Sequence, residues 1–223
     1  MNKEVSEKKI RGLLLLFCII AAVLLVLVIS WKKEVPDYIG RELTAHEEQE
    51  ILEENSPFTE YVRLSPNADF PRTDKIRKIT IHHMAGNYSL EQVGRTFSFK
   101  DREASSNYAI DSNGRTGLYV EEGNRSWASQ NEENDQQAVT IEVANDEEGG
   151  KWHVSDRAFR KLIRLCTDIC RRNGITELVY TGDAEGNLTF HKMFSEDTEC
   201  PGPYLESRAE DIVRLVNENL NKK

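Results

Sequence analysis

The chain has 223 residues, of which 39% are hydrophobic, and a formal net charge of −9 at pH 7. That hydrophobic content is enough for the core of one ordinary domain plus additional segments, which excludes an intrinsically disordered chain. The acidic balance excludes a general affinity for polyanions, so we expect no nucleic-acid partner.

The first feature along the chain is an uncharged apolar segment at 12–31, GLLLLFCIIAAVLLVLVISW. Its twenty residues are about the length that an α-helix needs to cross a bilayer. The run is longer than the apolar part of a signal peptide and ends in Ser-Trp-Lys-Lys, which predicts an uncleaved transmembrane helix. Basic residues are more numerous before this segment than just after it, so 1–11 is expected in the cytoplasm and the remaining chain outside.

The next segment, 32–74, is rich in charged residues and interrupted by prolines. Thr44 and Glu47 have the spacing of a capping box, which predicts a short acidic helix ending near Glu54. We interpret 32–74 as an extracytoplasmic stalk or linker, and 75–223 as the globular domain.

Within 75–223, strand-like and helix-like patterns alternate, which predicts an α/β fold with a mixed β-sheet flanked by helices. The predicted strands cover 78–82, 107–111, 115–121, 138–144 and 176–181, and the predicted helices cover 89–99, 155–172 and 203–220.

Two adjacent histidines end the first predicted strand, in the sequence KITIHHMAG. Because successive side chains of a strand point to opposite faces, His82 shares a face with Thr80, whereas His83 shares a face with Ile79 and Ile81. Only one of the two rings can therefore enter a given site easily. His82 is the candidate on the more polar face, and His83 is interpreted as a packed, hydrogen-bonded residue.

Glu142 lies in the middle of the strand AVTIEVA, on the face of its small neighbours. A carboxylate in such a position is costly unless it has a charged partner or faces a groove. A structural ion pair with an arginine is one reading. A groove that holds a metal or a reacting water is the other, and it also accounts for the small neighbours.

Near the C-terminus, His191 is followed nine residues later by Cys200, which precedes Pro-Gly-Pro in a polar segment. With His82, these residues form the set of two imidazoles and one thiol that zinc accepts in tetrahedral sites, leaving one position for water. The spacing by itself is not specific, because His82 is more than a hundred residues from His191 and the interval from His191 to Cys200 is not that of a short structural zinc motif.

The order and separation of four motifs resemble those of the zinc-dependent N-acetylmuramoyl-L-alanine amidases, which share their fold with peptidoglycan recognition proteins. The resemblance covers about 76–221 and implies a mixed sheet with helices on both sides. It also implies a zinc ion bound by His82, His191 and Cys200. The motifs are IHHMAG at 81–86, SSNYAIDSNG at 105–114, AVTIEVAND at 138–146, and His191 with TECPG at 198–202.

The resemblance also assigns residues to catalysis and substrate binding. Glu142 falls on the glutamate that serves as general base in one branch of the family. Thr198 stands where phage enzymes of this type carry a lysine, so it is expected either to help stabilise the oxyanion or to cap its own loop. Ser106 stands at the position of a tyrosine in the phage enzymes, and is expected to contact substrate. Trp127 is expected either to line the substrate groove or to pack in the core.

The function that the resemblance implies is hydrolysis of the amide between N-acetylmuramic acid and L-alanine in peptidoglycan, by an enzyme anchored through 12–31 in the bacterial cytoplasmic membrane with its catalytic domain outside. Two alternatives use the same fold. One is a non-catalytic peptidoglycan-binding module, and the other is an endopeptidase that cuts the stem peptide.

Overall fold

The structure is a computed structural model that describes residues 13–14, 16–20 and 35–222. The predicted cytoplasmic segment 1–11 lies outside the described residues, and so does most of the predicted transmembrane segment 12–31. No helix among the described residues has the length and apolar character needed to span a bilayer. The transmembrane helix therefore stays a prediction.

A six-stranded mixed sheet is the centre of the compact unit Asp37–Lys223. Its strand order is β1-β5-β4-β7-β3-β8, and every neighbouring pair is parallel except β4 and β5. A separate pair of short antiparallel strands joins β2 to β6. The strands are β1 Thr59–Val62, β2 Ala68–Asp69, β3 Lys78–His83, β4 Tyr108–Ile110, β5 Thr116–Leu118, β6 Arg125–Ser126, β7 Ala138–Val143 and β8 Leu188–Phe190.

Helices cover both faces of this sheet, which confirms the predicted fold class. Six α-helices lie in this compact unit: α1 Ala45–Glu54, α2 Leu90–Phe97, α3 Glu132–Gln137, α4 Asp156–Asn173, α5 Gly202–Ser207 and α6 Ala209–Leu220. The larger apolar core joins α4 and α6 to the sheet face that carries Ile79 and Ile81. The smaller core joins α2 to Ala109 and Tyr119 on the other face.

The predicted stalk at 32–74 is wrong for residues 37–74, which belong to the compact unit. β1 adds an edge strand to the main sheet beside β5, and both Ile51 of α1 and Leu64 are buried in the larger core. The predicted capping box is present, with Thr44 and Glu47 bonded reciprocally at the start of α1. The edge strand could not be recognised from the sequence because its four residues lack an alternation of buried and exposed positions.

Near the C-terminus, two predicted elements differ from the observed structure. The segment 176–181 is not a strand, although Leu178 is buried and its backbone is bonded to the side chain of Asn217. The predicted helix at 203–220 is two helices, α5 and α6, which meet at Arg208. A side-chain amide can replace a strand partner for a few backbone groups, and the sequence pattern does not reveal it.

Candidate metal centre and active site

His82 reaches the site because it occupies the penultimate position of β3, a central strand bonded to β7 on one side and β8 on the other. The side chain lies on the polar face of the strand, and the residue is only 1% exposed. His83 points the other way, and its ring packs edge-on against Trp152 with 5.3 Å between ring centroids. The two adjacent histidines therefore have separate surroundings, as the alternation of the strand predicts.

His191 follows β8 at the start of a short 3-10 turn, His191–Met193. Because Phe190 pairs with Ile81, the next residue of each strand lies at the same level of the sheet. The rings of His82 and His191 accordingly stand 5.0 Å apart between centroids. The pairing of β3 with β8 thus brings together two histidines that are far apart in the chain.

Cys200 is held beside both histidines by three backbone hydrogen bonds. The N–H of Lys192 donates to the Cys200 carbonyl at 2.9 Å, and the N–H of His83 donates to the Cys200 Sγ at 3.4 Å. The N–H of Cys200 donates to the Thr198 Oγ1 at 3.1 Å. The loop that carries the thiol is therefore tied directly to the elements that carry the two imidazoles.

The loop that carries Cys200 requires a glycine at position 202. Its φ is +81°, a conformation that favours glycine, and a Cβ there would lie 3.0 Å from two atoms of the His83 ring and 3.2 Å from the Cβ of Trp152. The packed His83 and Trp152 thus require a residue without a side chain two positions after Cys200.

The structure brings together the three residues that the sequence predicted as metal ligands. One ligand atom from each of His82, His191 and Cys200 lies within 4.8 Å of the other two. The Nε2 atoms of His82 and His191 are buried and have no hydrogen-bond partner among the described residues. Buried polar atoms normally have partners, so two unpaired imidazole nitrogens on neighbouring rings fit a metal ion. The donor set of two nitrogens and one sulfur is one that zinc accepts.

The protonation of these groups follows from their burial. Burial lowers the pKa of His82 to about 3, with smaller contributions from His191 and His83, and burial also lowers the pKa of His191. Both imidazoles are therefore neutral at pH 7 and each has a free lone pair. Burial raises the pKa of the Cys200 thiol, with Glu142 adding to the effect. The thiol keeps its proton until a cation replaces it.

Glu142 lies next to His82 across the pairing of β7 with β3. Its Oε2 is buried without a hydrogen-bond partner, and none of the described residues forms an ion pair with it. Burial raises the pKa of Glu142 to about 8, while the charge of Arg102 opposes this. The sequence left two interpretations of Glu142, an ion pair or a groove. The structure favours the groove, because this carboxyl group has no ion-pair partner among the residues described.

His82, Glu142, His191 and Cys200 line a cavity of about 700 Å³, which we call the catalytic groove. A smaller cavity of about 380 Å³, the side pocket, adjoins it and shares His83, Phe97, Arg102 and Glu142 with it. The side pocket is otherwise lined by Met84, Tyr88, Val93 and Thr96.

Trp127 and Thr198 both line the catalytic groove, so neither is confined to the core. Trp127 is partly buried, and its Nε1 donates a hydrogen bond of 3.0 Å to Asp69 Oδ1. This bond fixes the indole at the wall of the groove. Thr198 lines the groove, and its Oγ1 also accepts the hydrogen bond from the N–H of Cys200.

The prediction that Ser106 contacts substrate is wrong. Ser106 is fully buried and its hydroxyl donates to the carbonyl of Tyr108 at 2.8 Å. Its neighbour Ser105 lines the catalytic groove instead.

Sequence reasoning missed the groove residues Arg102, Arg125 and Asp135. Arg125 is paired with Asp69 at 2.5 Å, and the Asp135 carboxylate accepts hydrogen bonds from the backbone N–H groups of Ala128 and Ser129 beside Trp127. Only Asp135 had a recognisable signal, since Asn131 followed by acidic residues is the start of a helix, observed here as α3. Arg102 ends the 3-10 turn Lys100–Arg102 and Arg125 begins the two-residue strand β6, and neither belongs to a recognisable motif.

A family model described as N-acetylmuramoyl-L-alanine amidase matches residues 72–203, more than half of the chain. The chain belongs to the N-acetylmuramoyl-L-alanine amidase family. The prediction of an amide hydrolase of this family is confirmed. The matched region contains all of the residues that surround the groove except Asp69 behind Trp127.

Solved structures similar to this amidase show the same fold. PlyL is 18% identical with a TM-score of 0.52, and the alignment covers 73% of this chain and 96% of PlyL. A mutant endolysin from Bacillus subtilis is 15% identical with a TM-score of 0.54, covering 70% and 97%. A selenomethionine derivative of AmpD is 16% identical with a TM-score of 0.51, covering 69% and 93%. The comparison with curated proteins gives no match.

Proposed function

We propose that this amidase uses zinc to hydrolyse the amide between the lactyl group of N-acetylmuramic acid and L-alanine in peptidoglycan. The observation that carries the proposal is the convergence of His82, His191 and Cys200 beside an unpaired Glu142, on the floor of an open groove. Family membership supports the choice of substrate.

His82, His191 and Cys200 would hold the ion, because their ligand atoms lie close together and two of them lack any other described partner. Zinc in such a site polarises a carbonyl group and lowers the pKa of water. The backbone N–H of His83 stabilises the charge that Cys200 acquires when its thiol loses a proton, since it donates directly to the sulfur.

Glu142 is the proposed general base and acid. Its free Oε2 takes the proton from the water that attacks the scissile carbonyl carbon, and the new C–O bond forms. The C–N bond then breaks, and Glu142 delivers the proton to the departing nitrogen of L-alanine. Burial raises the pKa of this carboxyl to about 8 in the metal-free protein, so the group holds readily the proton that it must later deliver.

Thr198 and Trp127 are proposed to act on the substrate. The Thr198 hydroxyl accepts a bond from Cys200, so its own hydrogen is free to point into the groove towards a developing oxyanion. Trp127 offers a fixed aromatic surface for a sugar or peptide.

We also propose that 12–31 anchors the enzyme in the bacterial cytoplasmic membrane, with the catalytic domain outside. The length and apolar character of the segment and the basic residues that precede it support this arrangement. Protease treatment of intact spheroplasts tests it, since an extracytoplasmic domain is degraded while a cytoplasmic control protein survives.

The reaction is tested by incubating the full-length chain in detergent with purified peptidoglycan and identifying the products by mass spectrometry. New N-terminal alanine together with intact muramic acid is expected. A different new terminus would favour a stem-peptide endopeptidase, and binding to the wall without any new terminus would favour a binding module. Zinc-depleted enzyme and the same enzyme with zinc restored show whether the activity needs the metal.

A further inference from the structure

We propose that Trp152 is a positioning residue of the metal centre, and that its strained turn holds the loop of Cys200 so that the sulfur stays beside the two imidazoles. The inference rests on the zinc site of the proposed function, but not on the reaction. Trp152 lines neither the catalytic groove nor the side pocket, so contact with substrate in these cavities does not account for it.

Trp152 belongs to a turn of residues 149–152 with an unusual backbone conformation. Gly149 and Gly150 have φ values of +77° and +55°, which glycine adopts readily, but the φ of Trp152 is also positive, at 56°. A bulky residue in this left-handed region is an outlier that persists only where its surroundings hold it. Such residues cluster at functional sites, which directs attention to what this turn contacts.

Both backbone polar groups of Trp152 are hydrogen-bonded, which fixes the strained conformation. The N–H donates to the carbonyl of Gly149 at 2.8 Å, and the carbonyl accepts a bond of 2.7 Å from the side-chain Nδ2 of Asn145. Asn145 is fully buried just after β7, and its own N–H donates to the carbonyl of Gly86 at 3.0 Å. The turn is therefore attached to the segments that follow the two central strands β7 and β3.

The turn also contacts the chain that follows Cys200. The N–H of Tyr204 donates to the carbonyl of Lys151 at 3.0 Å. Gly202 lies directly over Trp152, since a Cβ added at Gly202 would be 3.2 Å from the Cβ of the tryptophan. The C-terminal side of the loop that carries the thiol is thus held against this turn.

Trp152 contacts, in addition, the residue that donates a hydrogen bond to the sulfur. Its indole packs edge-on against the ring of His83 with 5.3 Å between centroids, and the backbone N–H of His83 donates to the Cys200 Sγ. Trp152 therefore touches both the donor residue and the loop that carries the acceptor. Groups that orient a metal ligand without binding the metal typically contribute about 10–100-fold to metal affinity.

Loss of the indole should affect the sulfur more than the imidazoles. It leaves a gap beneath Gly202 and beside His83, so the loop of Cys200 gains freedom. His82 and His191 are placed by the pairing of β3 with β8, which does not involve the turn. The expected defect is therefore a weaker metal–sulfur bond at a site that keeps its two nitrogens.

Zinc affinity is measured by chelator competition on the full-length protein in detergent. Trp152→Ala and Asn145→Ala are each expected to raise the Kd for zinc by about 10–100-fold. Trp152→Phe keeps an aromatic ring beside His83 and is expected to restore most of the affinity. Lys151→Ala is the control in the same turn, because Lys151 is exposed and bonds Tyr204 only through its backbone carbonyl.

Cobalt substitution shows whether the sulfur is the ligand affected. Co²⁺ bound to a thiolate has a sulfur-to-metal charge-transfer absorption, which is compared per bound ion. A weaker or shifted band is expected in Trp152→Ala and Asn145→Ala, and the wild-type band in Lys151→Ala. A residue that only stabilises the fold would change the unfolding temperature of the metal-free protein and leave this band unchanged.

Asn145→Ala keeps the test decisive if Trp152→Ala does not fold, because it removes one hydrogen bond and leaves the indole in place. The inference is overturned if the folded variants bind zinc as tightly as Lys151→Ala, or if they lose affinity while the cobalt band stays that of wild type. Failure of wild type to bind zinc removes the metal from the proposed function, and the inference with it. Because neither measurement needs turnover, the expected pattern supports the inference even if the enzyme cleaves a different bond.

Discussion

Glu142 of β7 is paired in register with His82 of β3, so a carboxylate and an imidazole without other described partners lie side by side on the same face of the sheet. Paired residues of parallel strands point to the same side, and this single register places a proton-transfer group next to a metal-ligand candidate. A shift of one residue would turn Glu142 to the opposite face, which is the apolar core.

Replacing His82, His191 or Cys200 with alanine is expected to remove the bound metal and the activity together, because three protein ligands are the minimum set of an open zinc site. Metal content per chain, measured after purification, should fall from about one to about zero in each variant. His153→Ala is the matched control, since His153 is exposed and paired with Asp146 at 2.6 Å outside the groove. Retention of one zinc per chain by any of the three alanine variants would remove that residue from the ligand set.

Glu142→Gln is expected to keep the metal and to lose at least ~10²-fold in kcat, the lower end of the contribution of general acid–base catalysis. The amide retains the shape of the carboxyl group but cannot accept the proton of water. Release of N-terminal alanine from peptidoglycan and metal content should be measured on the same preparation. A variant with nearly full activity would show that another group moves the proton.

The stability of the metal-free protein is expected to depend on pH through Glu142. Burial raises the pKa of Glu142 from an ordinary value of 4.5 to about 8. Between these values the unfolded chain releases a proton that the folded chain keeps, so the free energy of unfolding falls as pH rises through the window. The slope approaches ~1.4 kcal/mol per pH unit at most.

Denaturant unfolding of the chelator-treated wild type and Glu142→Gln at several pH values isolates this effect, because the glutamine variant retains every other titrating group. The wild type should lose stability relative to Glu142→Gln as the pH rises from about 4.5 to about 8. Parallel curves over that range would mean that the folded carboxyl has an ordinary pKa.

Removal of residues 1–71 is expected to destabilise the domain, whereas removal of residues 1–36 is not. The longer deletion exposes the core positions filled by Ile51 and Leu64, each worth about 1.5–3 kcal/mol when buried. It also removes the buried bonds of Asn55 and Ser56 to Glu122 and Tyr108. Typical domains have only about 5–15 kcal/mol of stability in total.

Thermal unfolding of the two truncated chains measures the difference directly. Ile51→Ala and Leu52→Ala in the shorter truncation serve as a matched pair, because Ile51 is buried and Leu52 on the same helix is only partly so. Equal unfolding temperatures for the two truncated chains would restore the interpretation of 37–74 as a linker.

Strong local patterns allowed most elements of 75–223 to be predicted from the sequence. Alternation over β3 and β7, and helical spacing over α4, gave their positions within one or two residues. The short strands β1, β2, β6 and β8 have two to four residues each, too few for a period to appear. Their existence depends on backbone partners that are distant in the chain.

The candidate site also has a part that local patterns predict and a part that they do not. Alternation along β3 already separated His82 from His83, and motif order already grouped His82, His191, Cys200 and Glu142. Ser106 shows where that reasoning fails, since a motif position does not reveal which way a side chain points, and Ser106 is buried with its hydroxyl bonded to the carbonyl of Tyr108.

What the sequence determined by itself is therefore which residue types are available for the chemistry and which faces of the strands they occupy, because these depend on local periodicity. Only the tertiary structure decided that β8 pairs with β3, which places His191 beside His82, and that Arg125 is paired with Asp69 at the wall of the groove. Contacts of this kind join residues far apart in the chain, and no local preference of the backbone encodes them.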